Sequence, residues 1–491
     1  MRGPRTAAAI AMVALVLLGC GGGDPPVRVL RMASADPRGI EHDPAVAFFR
    51  DRVERLSGGR VRIQLDERWA RDATAREAPL LRDVARGEAD LGWAHAGTFD
   101  RIGVDSFQPL EAPLLVDRDA VQDAVVRGPL AARMLAGARA AGLEGLALLA
   151  GPFIRLAGAN APMRSAADLR RRLFAVRDSA LADASARALH AFPTTITAAT
   201  LPLFYLDRAA RRPGAPAAIE DDLDALFFDR YGGPCRGCGG AGPWVTTNVV
   251  LWPHAAVLVA NPRRLRGLTS RERAWLAEAA RQAARYSTIS DDGDARLAAE
   301  LCAAGARLTT ASPSVVAGLR RALRPVYRRL EAQAETRATL VAIERIRGRT
   351  RAPASLAAPP GCASRTPSAA SARGVPSTLR DGTYRVQLSR ADLRAAGDAR
   401  ASDRTGTATL TLRRGRWRLA FTEPPGDARS GTYAGTPLRT AWATDGSGRD
   451  EAYFSITVGR DGALRFRIGG ANDVPSAAAT YASHAWRRIG G

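Results

Sequence analysis

Residues 43–65 read Asp-Pro-Ala-Val-Ala-Phe-Phe-Arg-Asp-Arg-Val-Glu-Arg-Leu-Ser-Gly-Gly-Arg-Val-Arg-Ile-Gln-Leu. Val46, Phe49, Val53 and Leu56 recur at helical spacing, Ser57-Gly58-Gly59 stops the helix, and Val61 to Leu65 alternates as a strand. The same alternation of elements continues on both sides. Val27-Arg28-Val29-Leu30-Arg31 precedes it as a strand, Pro79 to Arg86 follows as a helix ended by Gly87, and Ala89 to Trp93 is a third strand. Strands alternating with helices predict an α/β layout. Apolar runs from Leu146 to Ile154 and from Leu173 to Val176 read as buried strands. Ser179 to His190 reads as a helix, and Trp244 to Val259 mixes strand and turn signals. Thr269-Ser270-Arg271-Glu272 opens a capped helix, and helical sequence runs with breaks to about Arg347.

The pattern changes beyond that point. Residues 351–374 are rich in Pro, Ala, Ser and Arg, the composition of a linker. After it, Ala408, Leu410 and Leu412 alternate with threonines, and Trp417, Leu419 and Phe421 alternate beyond a turn at Arg413-Arg414-Gly415. Phe454, Ile456 and Val458 repeat the alternation, and Asp461-Gly462 makes a hairpin turn into Leu464, Phe466 and Ile468. Residues from about 378 to the C-terminus are therefore expected to form a small antiparallel β domain, a barrel or a sandwich.

The N-terminus sets the expected compartment. A basic start, Met-Arg-Gly-Pro-Arg, leads into an apolar run from Ala7 to Leu18. That run is shorter than the ~20 residues needed to span a bilayer and suits a secretory signal. It ends in Leu17-Leu18-Gly19-Cys20 and a glycine tether, which resembles the bacterial lipobox, where the cysteine carries lipid. The expected division is a signal peptide at 1–19, a lipidated tether at 20–26, an α/β body at 27–350, a linker at 351–377 and a β domain at 378–491. The chain would sit on the outer side of the cell membrane, held by its lipid, without crossing it.

All 71 basic residues among the 491 are arginine, and the formal charge is +22. Absence of lysine fits arginine-rich codon usage, but the excess over acid does not follow from it. The arginines are scattered, with no nucleic-acid motif and little aromatic interleaving, so anionic envelope surfaces or acidic ligands are the better partners. Beyond Cys20, four cysteines remain, which in an oxidising compartment allow three pairings. Cys235–Cys238 and Cys302–Cys362 is the pairing expected. The first pair lies in a glycine-rich loop without the two further ligands a zinc site needs, and without the strand-to-helix setting of a redox motif, so it reads as a loop staple.

An ordered series of segments carries a family resemblance. Ser-Gly-Gly-Arg-Val-Arg-Ile at 57–63 leads to Leu-Leu-Arg-Asp-Val-Ala-Arg-Gly-Glu-Ala-Asp-Leu-Gly at 80–92. Gln-Pro-Leu-Glu-Ala-Pro-Leu-Leu-Val at 108–116 follows, then Ala-Asp-Leu at 167–169 and Ala-Leu-His-Ala-Phe-Pro-Thr-Thr at 188–195. Over roughly residues 28–347 this resembles the solute receptors of TRAP-type (dicarboxylate-binding type) transporters. The resemblance implies two α/β lobes, as in periplasmic binding proteins, with ligand in the cleft between them. It also implies an arginine that grips the substrate carboxylate, since the guanidinium fork meets both oxygens and stays charged. Here Ala175 occupies that arginine's place and Arg171 occupies a glycine's. Arg177, two positions on, returns to the same face of the strand and is the candidate substitute, set against a solvated arginine. A second family arginine matches Arg155, followed by Asn160; a surface ion pair is the competing reading. Trp93 lines either the cleft or the core. Glu220 lies in a region resembling the family's Asp-Gly-X-Glu without its Asp-Gly, and Asn248 and Trp252 loosely match a cleft-and-hinge segment.

The five histidines are dispersed in sequence, and no nucleophile motif, paired metal ligands or phosphate loop appears. The expectation is a non-enzymatic, cofactor-free lipoprotein that captures a small anionic organic solute for a TRAP-type permease. The alternative is a structural or sensory envelope lipoprotein that has lost its transport ligand.

Overall fold

The computed structural model describes residues 27–35, 44–66, 69, 77–197, 201–204, 215–226, 243–288, 293–303, 305–351, 356, 362, 381–395, 405–413, 416–422, 428–436, 439–444, 451–458, 462–471 and 485–490. The expected signal peptide, Cys20, the Cys235–Cys238 pair and nearly all of the linker lie outside these residues.

The first lobe is a five-stranded sheet in the order β2-β1-β3-β10-β4. Its strands are β1 (Arg28–Ala33), β2 (Val61–Asp66), β3 (Leu91–His95), β4 (Glu144–Leu149) and β10 (Ala256–Ala260). β1 pairs in parallel with β2 and β3, because the helices Pro44–Ser57 and Glu77–Arg86 carry the chain back between them. The helix Pro44–Ser57 buries Val46, Phe49 and Val53, the periodic positions of the sequence. It packs with the helix Ser270–Ser287 on one face of the sheet, around Leu30, Val61, Trp93 and Leu276. Thr269 and Glu272 form the expected capping box at the start of that second helix.

The second lobe is a six-stranded sheet in the order β11-β9-β5-β8-β6-β7. It contains β5 (Phe153–Gly158), β6 (Leu173–Val176), β7 (Phe192–Thr195), β8 (Ala218–Asp221), β9 (Trp244–Pro253) and β11 (Arg307–Thr309). The apolar run from Leu146 to Ile154, expected as one strand, is divided between β4 and β5, which belong to different sheets. The chain thus crosses between lobes at 150–152 and returns between β9 and β10. The two crossings touch: His254 N donates to Pro152 O at 2.7 Å, and Gln122 clasps both backbone groups of Gly151. A β-carbon on Gly151 would lie 1.9 Å from His254 O, so only glycine fits there. One apolar cluster runs through both lobes, from Leu80 and Phe99 to Phe174 and Leu181, and is closed by Leu319, Leu330 and Ile343 from the helices near residue 350.

Arg171, in the turn before β6, has φ 57°, and His190, in the turn before β7, has φ 61°. Arg171 N donates to His190 O at 2.8 Å, which joins the two turns.

The third sheet is antiparallel and eight-stranded, β18-β17-β16-β15-β14-β13-β12-β19. It comprises β12 (Gly382–Leu388), β13 (Gly406–Arg413), β14 (Arg416–Phe421), β15 (Ala428–Thr436), β16 (Arg439–Thr444), β17 (Glu451–Val458), β18 (Leu464–Ala471) and β19 (Arg487–Gly490). Leu464, which opens β18, and Trp486, just before β19, exchange backbone hydrogen bonds of 2.9 and 2.7 Å. Those bonds join the ends of the meander, which selects the barrel over the sandwich. Tyr384, Leu410, Trp417, Leu419, Phe466 and Trp486 fill its buried face. No helix among the described residues is long and apolar enough to cross a membrane.

Cys302 and Cys362 are bonded, with Cα atoms 5.5 Å apart, within the usual range. The bond fastens chain beyond the last helix of the body against the second lobe, where Thr247 Oγ1 also donates to Leu356 O at 2.9 Å. Closing a loop with a sequence separation of 60 residues stabilises through the unfolded chain. Replacing both cysteines by alanine should cost about 2–4 kcal/mol in denaturant unfolding. An unchanged midpoint would show the bond to be unimportant.

Candidate functional site

The two lobes meet at the carboxyl ends of β3, β6 and β8, the edge at which open α/β sheets hold ligands. The turn that follows β3, Ala96–Ile102, reaches from the first lobe to the helix Ala180–Ala188 of the second. Asp100 accepts hydrogen bonds from Ser179 Oγ, Ala180 N and Leu181 N, each at 2.9 Å. It serves as an N-terminal cap supplied by the other lobe, where the helix has unsatisfied N–H groups. Burial nevertheless raises the pKa of Asp100, against the pull of these donors. Arg101 beside it pairs with Asp178 at 2.9 Å and Asp183 at 2.8 Å.

A line of polar side chains runs along the same seam. Glu77 opens the helix Glu77–Arg86 and uses both carboxylate oxygens. It accepts from His95 N at 3.0 Å and Thr98 Oγ1 at 2.7 Å, and lies 2.6 Å from His95 Nδ1. Burial would raise its pKa, but the charge and hydrogen bonds of His95, with those of Thr98, hold it down at about 2. The His95 ring stacks on His254 with centroids 3.4 Å apart, and Trp93 meets His95 edge-on at 5.6 Å. His254 Nδ1 is 3.9 Å from Asp222, which is 4.0 Å from the Arg177 guanidinium. Arg177, just beyond β6, also bonds Asp221 at the end of β8.

Two buried acids complete the seam. Glu220 accepts from Arg177 N at 2.7 Å and has no exposed surface. Burial pushes its carboxyl up to about 8, against the opposing pull of the Arg177 N–H and charge. Glu111 is raised well above the usual range by burial and then by Glu220. A β-carbon on Gly97 would lie 3.4 Å from both Glu111 Oε2 and Ser179 Cβ, so the lobes leave little room there.

Of the side chains singled out in the sequence, Arg177 and Glu220 lie in this seam and Trp93 borders it, with its body in the core. The others are placed differently. Arg155 is buried and its donors are taken up internally: Nε by Thr247 O at 3.1 Å, Nη1 by Phe153 O at 3.0 Å, and Nη2 by Asp294. Asn248 is clasped by the backbone of Ala311 through two bonds of 2.8 Å. Trp252 is packed in the core that both lobes share, and Asn160 is exposed in the turn after β5. Ala175 lies in an apolar cluster with Ile219 and Leu301. The sequence reading missed Glu77, His95, His254 and Asp222. His95 and His254 looked dispersed because only the return crossing brings them face to face. The usable signal was His95, two residues beyond the strand expected at Ala89 to Trp93.

Residues 33–201 match the model of the bacterial extracellular solute-binding proteins, family 7. The structure is similar to a TRAP periplasmic solute-binding protein from Ralstonia eutropha H16 with bound (S)-2-acetolactate, at 18% identity and a TM-score of 0.55, over 66% of this chain and 99% of that one. One from Sulfurospirillum deleyianum with bound succinate gives 14% identity and 0.54, over 66% and 100%. One from Bradyrhizobium in complex with galacturonate gives 21% and 0.53, over 65% and 100%. No curated protein sequence matches the chain. The match to family 7 thus covers residues 33–201, and the two lobes have the fold of the TRAP periplasmic solute-binding proteins.

Because Glu220 holds its proton more tightly folded than unfolded, its contribution to stability is complete below about pH 4.5 and is lost as pH rises through about 8. Thermal unfolding should therefore fall in midpoint from pH 5 to pH 9. Glu220→Gln, which keeps a neutral side chain, should flatten that fall; an equally steep profile in the variant would refute the assignment. Glu77 acts in the opposite direction, its contribution being lost as pH drops from about 4.5 towards about 2.

Proposed function

We propose that this protein is an extracytoplasmic receptor that captures a small anionic organic solute between its lobes and delivers it to a TRAP-type permease. The observation that carries this reading is the convergence of β3, β6 and β8 on one seam, with Arg177, His95 and His254 as its cationic or proton-donating groups. Solute acids bound to proteins of the same fold support the choice of ligand: acetolactate, succinate, galacturonate, glucuronate and erythronate. Arg177 is the group assigned to the carboxylate, exchanging Asp221 and Asp222 for it. Glu220, held neutral, is a donor to the same solute, and Trp93 supports the wall. Arg155, Asn248 and Trp252 serve by framing the seam. Lipidation at Cys20 would hold the receptor at the membrane. The reading as a binder rather than an enzyme is supported by the match of residues 33–201 to solute-binding proteins and by the receptors of the same fold.

Two observations favour a structural or sensory envelope protein instead. Arg177 is already paired with acids, and an apolar cluster fills the site at Ala175.

Thermal unfolding against a panel of organic and sugar acids separates the two. Ligand at 100 times its Kd adds about 2.7 kcal/mol, which raises the midpoint by at least roughly 2 °C. The receptor reading expects such a shift in the wild type and in Asn160→Ala, and its loss in Arg177→Ala. A shift that survives Arg177→Ala discards that residue's role, and no shift with any acid discards the receptor reading.

A further inference from the structure

The three helices that close the body, Pro313–Ala322, Arg324–Glu331 and Ala334–Arg349, bury one side in the cluster shared by the lobes through Leu319, Val326, Leu330, Leu340 and Ile343. Their other side carries an unusual charge pattern. On the last helix Arg337, Arg345 and Arg349 are exposed at multiples of four residues, with exposed Val341 between the first two. Arg320, Arg324 and Arg328 are exposed at the same spacing on the two helices before it. None of these six forms an ion pair among the described residues, whereas arginines elsewhere in the body, such as Arg28, Arg101, Arg139 and Arg281, do. The acids on the same three helices are only Glu331, Glu335 and Glu344. Arg324 with Arg328, and Arg345 with Arg349, stand four residues apart on one helix, where like charges repel.

We propose that this arginine face rests on an anionic phospholipid surface, as a second point of membrane attachment beside the lipid at Cys20. Guanidinium groups match phosphate oxygens as a fork and give up water more readily than ammonium groups. The cations are spread over three helices, with Val341 the one large apolar side chain exposed among their described residues. A protein partner would be expected to meet a compact, desolvated anchor cluster instead. A fluid headgroup layer needs no such register and attracts each cation near its surface. One acyl chain with a polybasic patch is also a combination that anchors stably. The patch acts without the lipid anchor.

The test is co-sedimentation of the full chain carrying Cys20→Ser with vesicles of phosphatidylcholine, alone or with about one part in four phosphatidylglycerol, at low ionic strength. Binding is expected only to the anionic vesicles, and added salt should weaken it. Arg324→Gln, Arg328→Gln, Arg337→Gln and Arg345→Gln together should reduce partitioning on the order of 100-fold or more, with circular dichroism unchanged. Arg133→Gln, Arg172→Gln, Arg187→Gln and Arg266→Gln together remove the same charge from other exposed places and should reduce it far less. Equal loss in the two variants would overturn the proposal, since net charge alone would then account for binding. Failure of the unsubstituted chain to bind anionic vesicles would overturn it as well and point to an acidic protein partner.

Discussion

Asp100 belongs by sequence to the first lobe and by function to the second. Its carboxylate satisfies the exposed N–H groups at the start of the helix Ala180–Ala188. If the lobes part, that helix keeps only the Ser179 hydroxyl as a cap, and Arg101 loses both acids it holds. Part of the seam shares this contact between the lobes. Glu111 is shielded beside Glu220 across the same seam, whereas His95 and His254 are held together within the first lobe by the pairing of β3 with β10. Charged groups buried at such a seam are costly unless paired. The lobes meet this cost in two ways: Glu77 stays ionised against His95, while Glu220 is driven to hold its proton.

The chain is strongly basic, yet its centre is acidic. Glu77, Glu111, Glu220, Asp221 and Asp222 gather where the lobes meet, while Arg320, Arg328, Arg337 and Arg345 stand outside, facing solvent. Net charge therefore gives no guide to the ligand site, and the surface charge bears on where the molecule resides. Separation of the two also protects the seam from the field of the surface arginines, because exposed charges are screened within roughly 10 Å at ordinary salt.

The α/β body was legible in the sequence because its helices and strands have distinct periods and clear stops. Gly58 at φ 63° and Gly59 at φ 81° end the first helix where the sequence placed its end. The alternating strands of the β domain were equally plain, but barrel or sandwich was not. That choice depends on two backbone bonds between Leu464 and Trp486, which no pattern of apolar residues encodes. The continuous apolar run from Leu146 to Ile154 hid a crossing between sheets, since a buried strand and a buried connection are both apolar. The site was only partly legible. Arg177 and Glu220 follow local strand ends, whereas the pairing of His95 with His254 depends on tertiary contact alone.

The central claim is that Asp100, beside the apolar cluster that the lobes share, holds them together over the proposed solute site. Spin labels at Arg62→Cys on the first lobe and Arg187→Cys on the second, both exposed, report the distance between lobes by pulsed electron resonance. The account predicts one short, narrow distance for the unaltered seam. Asp100→Ala should give a longer, broader distribution that narrows again when a binding solute is added. An unchanged distribution in Asp100→Ala would contradict the account.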